Sequence, residues 1–363
     1  MDLRTAAHRA VHRFVNGLDW WLRDPSEIVD RTPHEIVFRQ GKLNVRHYLV
    51  EEDEDEWELG QGALRVERHT QRYPVLLVPP LMIKPFVYDL APGRSYVEVL
   101  LREGFEVYLV DFGEPDRADE YVSLDHYVLE WMPAAIDATI RHHGGGGIGL
   151  VGYCMGGLFG LMHTSVNEDE RVKGIVTIGA PIDSHEMGLL AFVVKHAHGQ
   201  VDFLARRLGN IPGRLSSTAF KMMAPVKNAT RYADLFINMW NDEYVNRFDA
   251  LGQWTENFID YPGTAFREFL EKFLKENQLK DGRMTFRGKP ADLSWIRAPI
   301  LAFAGKTDQV VPVKAAAGIL DVVGSEVKEL RVVPGGHMGV FAGSHAPRAV
   351  WEPSARFLAR HMV

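Results

Sequence analysis

Cys154 is the only cysteine of the chain. It stands in Gly152-Tyr153-Cys154-Met155-Gly156-Gly157, between the apolar run Ile148–Gly152 and a helix-like stretch at 155–166. A nucleophile on a sharp strand-to-helix turn needs small flanking residues, because neighbouring backbone comes close there. The helix that follows aims its first N–H groups at the site, which favours thiolate over thiol. Alone, the pattern also fits a buried structural cysteine at a tight turn. Two later segments favour the nucleophile. Gly305-Lys306-Thr307-Asp308 puts an aspartate just past an apolar run, and Pro334-Gly335-Gly336-His337-Met338-Gly339 puts a histidine in a glycine-rich loop. Thiol, imidazole and carboxylate together make an acyl-transfer set: nucleophile, general base, and the group that orients the base.

The order Cys154, Asp308, His337 is that of the α/β-hydrolase triad, with cysteine replacing serine in the G-x-S-x-G elbow. The N–H of Met155 is then one oxyanion donor, and the second is expected near Leu81 or Met82, after an earlier strand. Asp183 competes with Asp308 for the acid role; the intact Gly-x-x-Asp-x-x-x-Pro context at 305–312 favours Asp308. His142-His143 and His196/His198 show no set of metal-ligating partners in the sequence and read as surface histidines, so no metal and no cofactor is expected. Asp111-Phe112-Gly113 resembles a kinase triplet without the motifs that should accompany it, and reads as a strand-end turn.

These residues must be held by a regular frame. Pro74–Val78, Glu106–Asp111, Ile148–Gly152 and Gly174–Gly179 are short apolar runs bounded by turn residues, as buried parallel strands are. Helical stretches at 95–103, 123–142 and 155–166 alternate with them. The alternation breaks after Pro181 and resumes at Pro299–Gly305, followed by a strand at 330–333 and a closing helix at 346–361. The expected fold is therefore α/β: a mostly parallel sheet with helices on both faces and a helical cap inserted before the acid-bearing strand. The expected division is an N-terminal amphipathic helix and leading strands at 1–73, an α/β-hydrolase core at 74–182 and 293–363, and a cap or lid insertion at 183–292.

Residues 1–22 carry Leu3, Ala7, Ala10, Val11, Phe14, Leu18 and Trp21 at helical spacing, an amphipathic helix whose stripe either packs on the domain or docks on a partner or hydrophobic surface. The acidic run Glu51–Glu56 reads as a solvated loop. A net charge of −7 argues against nucleic-acid binding. A single cysteine, no signal-peptide pattern and no long apolar run suit a cytoplasmic protein without a transmembrane segment.

With these residues in place, the chain resembles the polyhydroxyalkanoate synthases, particularly the short type that works with a second subunit. The resemblance runs over roughly 74–363 and is carried by the elbow, Val78–Leu90, Val107–Asp116, Ser123–Val128, Trp254, Phe258, Pro262-Gly263, Ala265–Arg267, Asp292-Leu293 and Gly336–Phe341. It departs at Gln309, where the family commonly has histidine. The resemblance implies that Cys154 takes an acyl group from 3-hydroxyacyl-CoA, a substrate rather than a cofactor. A growing polyester then takes that group, with His337 as base and Asp308 orienting it. It also implies a second synthase subunit or a homodimer, and a place at the polyester granule surface. A hydrolase on the same scaffold, an intracellular depolymerase or thioesterase, is the alternative, and a non-enzymatic granule or complex subunit is a third reading. The cap's Lys195, Arg206, Arg207, Arg214, Lys221, Lys227 and Arg231 could attract CoA phosphates or simply form a solvated face. Met187, Met222, Met223 and Met239 could line an acyl tunnel or pack in the core.

Overall fold

The computed structural model describes residues 3–22, 24–49, 57–58, 63–64, 70–91, 93–222 and 225–363. Eight strands form the main sheet: β1 (His34–Gln40), β2 (Leu43–Tyr48), β3 (Val75–Val78), β4 (Val107–Asp111), β5 (Ile148–Tyr153), β6 (Val172–Ile178), β7 (Ile300–Gly305) and β8 (Lys328–Val333). Their order is β1-β2-β4-β3-β5-β6-β7-β8. The β1–β2 and β2–β4 pairings are antiparallel, and the other pairings are parallel. β1 and β2 thus extend the sheet back to residue 34, ahead of the core boundary expected at 74.

Alternation along a strand sends successive side chains to opposite faces, so one buried strand feeds two cores. Leu150 of β5 packs in one cluster with Met132 and Ile136 of α3 (Met132–His143) and Leu158, Phe159 and Leu161 of α4 (Met155–Val166). Val151 packs in the other, with Tyr96 and Leu100 of α2 (Tyr96–Arg102) and Trp351 and Leu358 at the C-terminus. Helices therefore cover both faces. The sheet can be apolar throughout its centre, and the site residues at its carboxyl edge sit on a rigid base.

The cap comprises α5 (Leu189–Leu208), α6 (Gly213–Met222), α7 (Pro225–Asn238), α8 (Asp242–Glu256) and α9 (Gly263–Glu268). An antiparallel bridge between Ile211 and Tyr261 and a hydrogen bond from Ile259 N–H to the Met82 carbonyl at 2.9 Å tie its entry and exit segments together and onto the core.

The N-terminal helix α1 (Leu3–Leu22) lies on this cap, but not by its apolar stripe. Polar side chains make the contact: Asn16 donates to the Met239 carbonyl at 2.8 Å, Trp20 Nε1 to Asp249 Oδ1 at 2.6 Å, and Arg9 sits over the Trp240 ring. Val11, Phe14, Leu18 and Trp21 face outward, Phe14 being 74% and Trp21 76% exposed. These four stripe residues do not pack on the domain; the side chains of Leu3, Ala7 and Ala10 lie outside the described residues. The acidic run at 51–56 lies outside the described residues.

Candidate active site

Cys154 caps α4 directly after β5, with φ 51° and ψ −119°, a conformation that a side chain ordinarily avoids. Strain of this kind costs about 1–3 kcal/mol and persists only where the surroundings enforce it. The flanking glycines are part of that enforcement. A Cβ on Gly156 would lie 1.9 Å from the Val78 carbonyl oxygen, and one on Gly152 2.3 Å from the Gly157 nitrogen. No other residue type fits the elbow without moving β3 or α4.

The acid and histidine loops are zipped together at the ends of β7 and β8. Thr307 N–H donates to the Gly335 carbonyl at 2.9 Å, and a Cβ on Gly305 would meet that same oxygen at 2.7 Å. Asp308 is buried and its three contacts are divided by oxygen. Oδ1 accepts from the N–H groups of Val310 (2.9 Å) and Val311 (2.8 Å), while Oδ2 lies 2.8 Å from His337 Nδ1. His337, at the start of α10 (His337–Ala342), is buried, and its ring interacts electrostatically with the Cys154 sulfur. Burial alone would pull its pKa down. The Asp308 carboxylate and the Cys154 sulfur outweigh that and hold it well above the ordinary histidine range. The structure brings Cys154, His337 and Asp308 together at the carboxyl ends of β5, β8 and β7. Asp183 is elsewhere: its Oδ1 accepts from Asn277 at 2.9 Å and caps the turn at His185. Gln309 is exposed.

Several supporting residues carried no catalytic signal of their own. The Tyr88 hydroxyl donates to the Val78 carbonyl at 2.8 Å and accepts from the Tyr153 N–H at 3.0 Å, pinning β3 to β5 beside the elbow. Tyr153 packs against Phe341 and, edge-on, against Trp254 of the cap. All four lie within the quoted family segments or the elbow, which was the available clue.

On the oxyanion side, Met82 has φ 71° and Leu81 is buried. Met155 accepts a hydrogen bond on its sulfur from the Tyr261 hydroxyl at 3.5 Å. A narrow cleft of about 20 Å³, lined by Leu81, Met82, Phe112, Tyr127, Ile259 and Pro262, opens beside this loop. The cap therefore touches both sides of the expected oxyanion site.

Other candidate residues are placed as follows. Met222 points to solvent while Met187 is buried, so the methionines do not share one tunnel; Met223 lies outside the described residues. Arg206 pairs with Asp202 at 2.7 Å on an exposed face and Arg207 sits over the Phe203 ring, local partnerships of a solvated helix. His142, read as an isolated surface histidine, in fact lies in one cluster with Glu35 and His47.

Sheet order and elbow define the chain as an α/β-hydrolase fold protein, and the profile of the α/β hydrolase fold family matches residues 92–344. A monoacylglycerol lipase from Paleococcus ferrophilus shares the fold at a TM-score of 0.51 and 16% identity, covering 82% of this chain and 99% of the lipase. The chain is 32% identical over 333 residues to the poly(3-hydroxyalkanoate) polymerase subunit PhaC of Haloferax mediterranei, covering 91% of this chain and 64% of that protein. It is 30% identical over 331 residues to the subunit of the same name from Haloarcula marismortui, covering 91% and 68%. The chain belongs to this polymerase-subunit family, as its motifs anticipated, and spans about two thirds of the length of these two relatives. Among the described residues, no helix is long and apolar enough to cross a membrane.

Proposed function

We propose that the chain polymerises 3-hydroxyacyl-CoA into polyhydroxyalkanoate through a thioester on Cys154. The observation that carries this reading is the Cys154–His337–Asp308 relay at a strained elbow, in a chain of the polymerase-subunit family.

In the proposed cycle, the Cys154 sulfur attacks the acyl-CoA carbonyl, and His337 takes the thiol proton. The oxyanion is held by the N–H of Met155 with that of Leu81 or Met82. As the carbonyl re-forms, the C–S bond to CoA breaks and His337 returns the proton to the departing thiolate. The hydroxyl of a second hydroxyacyl unit then attacks the Cys154 thioester, giving up its proton to His337. An ester forms and the thiol is restored. Sulfur suits both halves, because thioester exchange is nearly balanced and an ester is the more stable product. Water competing at the second step would yield free hydroxyacid, and the cap contacts at Met82 and Met155 support a role in excluding it.

The outward stripe of α1 supports association with a hydrophobic partner, whether granule surface, second subunit or second copy. The decisive experiment supplies 3-hydroxybutyryl-CoA and measures free CoA and acyl product together. Polymer with stoichiometric CoA is the expected result. CoA release with only free 3-hydroxybutyrate would assign the scaffold to hydrolysis instead.

A further inference from the structure

Glu35 on β1, His47 on β2 and Tyr108 on β4 occupy one row across three strands, since Glu35 pairs with His47 and His47 with Tyr108. Directly opposed residues lie on the same face of a sheet. The C-terminal turn of α3 lays His142 over that row, its ring centroid 4.8 Å from that of His47. This places the group at the amino end of β4, opposite the carboxyl edge that carries Cys154.

Glu35 Oε1 lies 3.4 Å from His47 Nδ1 and 3.9 Å from His142 Nε2, and the three ligand atoms are all within 4.8 Å of one another. Tetrahedral zinc with bonds of about 2.0–2.1 Å to nitrogen and oxygen separates its ligands by about 3.3 Å. The observed triangle needs only a small contraction to meet it.

The atoms behind these ligands matter as much. The Tyr108 hydroxyl donates to Glu106 Oε1 at 2.8 Å and lies 2.8 Å from His142 Nδ1. With its proton committed to Glu106, that hydroxyl accepts from Nδ1–H, which leaves the lone pair on His142 Nε2, the atom facing Glu35. His47 Nε2 is buried without an aligned hydrogen-bond partner, and the Glu106 carboxylate stands 3.1 Å from it. An anionic acceptor there favours the Nε2–H tautomer and frees Nδ1 to ligate. A carboxylate or its relay behind each ring is the arrangement that orients zinc-binding histidines. His143 also contacts Glu106, adding to the positive side of that carboxylate's surroundings.

We propose that Glu35, His47 and His142 form a zinc-class divalent-metal site, with one position left for water. The metal clamps the antiparallel edge of the sheet to α3.

The test uses tag-free, chelator-treated protein carrying Cys154→Ser, so that the active-site thiol cannot compete for metal. Zinc chloride titrated by calorimetry is expected to bind one ion per chain with a Kd in the micromolar range or tighter, and to raise the melting temperature. His142→Ala and Glu35→Gln, both at solvent-facing positions, should each weaken binding at least tenfold and remove the thermal shift while the circular dichroism spectrum stays native. No zinc binding to the parent, or binding of unchanged affinity in both variants, overturns the site.

Discussion

Tyr153 holds His337 from behind: its hydroxyl donates to the His337 main-chain carbonyl at 3.2 Å, and its ring faces the imidazole with centroids 5.1 Å apart. The residue before the nucleophile thus helps position the histidine, coupling β5 to the loop after β8. Tyr153→Phe keeps the ring and leaves a buried carbonyl without its donor. A stability loss of about 1–3 kcal/mol is expected by chemical denaturation. The turnover number should fall several-fold while KM for acyl-CoA stays within a factor of two. An unchanged turnover number would show that the tyrosine only packs.

The elbow conformation gives a second expectation. Cys154 pays strain at φ 51° that glycine does not. Cys154→Gly and Cys154→Ala should both abolish the acyl-enzyme, with the glycine variant the more stable by about 1 kcal/mol. Cys154→Ser should leave a slow, hydrolysis-prone enzyme. Intact-protein mass spectrometry with a non-hydrolysable-hydroxyl analogue of 3-hydroxybutyryl-CoA checks the chemistry. Acyl mass on the Cys154→Ala chain would place the nucleophile elsewhere.

The triad and the parallel core were legible because each leaves a local mark. Glycines appear where backbones collide, as at Gly152 and Gly156, and runs buried on both faces appear as uninterrupted apolar segments. Relationships set by register between distant strands leave no such mark. Glu35, His47 and His142 are scattered through 108 positions and meet only because β1, β2 and β4 pair as they do. Nor does a helical period state which way its stripe turns. α1 reads as amphipathic in either case, and the polar contacts of Asn16 and Trp20 are what send Phe14 and Trp21 outward. The strands β1 and β2, with mixed burial, lack the apolar signature, so leading strands are expected in 1–73 without bounds and outside the core.

A buried carboxyl in α2 makes stability depend on pH. Burial, reinforced by nearby Asp89 and only partly offset by Arg102, pushes Glu98 up to about 8. Below its unfolded value near 4.5 both states are protonated and nothing is lost. As pH rises towards 8 the unfolded chain releases a proton that the folded chain retains, so stability falls across that window. Glu98→Gln mimics the protonated group. It should stabilise the fold at pH 8 by on the order of a few kcal/mol and have little effect at pH 4.5. Denaturant melts at the two pH values check this; an equal effect at both would remove the carboxyl as the cause.

Asp308 offers the sharpest separation of catalysis from folding, because its two oxygens do different work. Oδ1 satisfies two loop N–H groups, and Oδ2 faces His337 Nδ1. In Asp308→Asn the amide oxygen can keep the Val310 and Val311 bonds, which turns the NH₂ towards the imidazole. Nδ1 must then accept, Nε2 carries the proton, and the base points an N–H at the sulfur it should deprotonate. The wrong tautomer in a comparable triad costs about 10⁴ in rate. Asp308→Asn is therefore expected to lower the turnover number by about 10²–10⁴ while its melting temperature stays close to that of the parent. Asp308→Ala orphans the two N–H groups as well, and should lose about 1–3 kcal/mol of stability for each in addition to activity. Steady-state CoA release and thermal melts on both variants check the pair. A turnover number within tenfold of the parent in Asp308→Asn would mean that the imidazole is oriented by something other than this carboxylate.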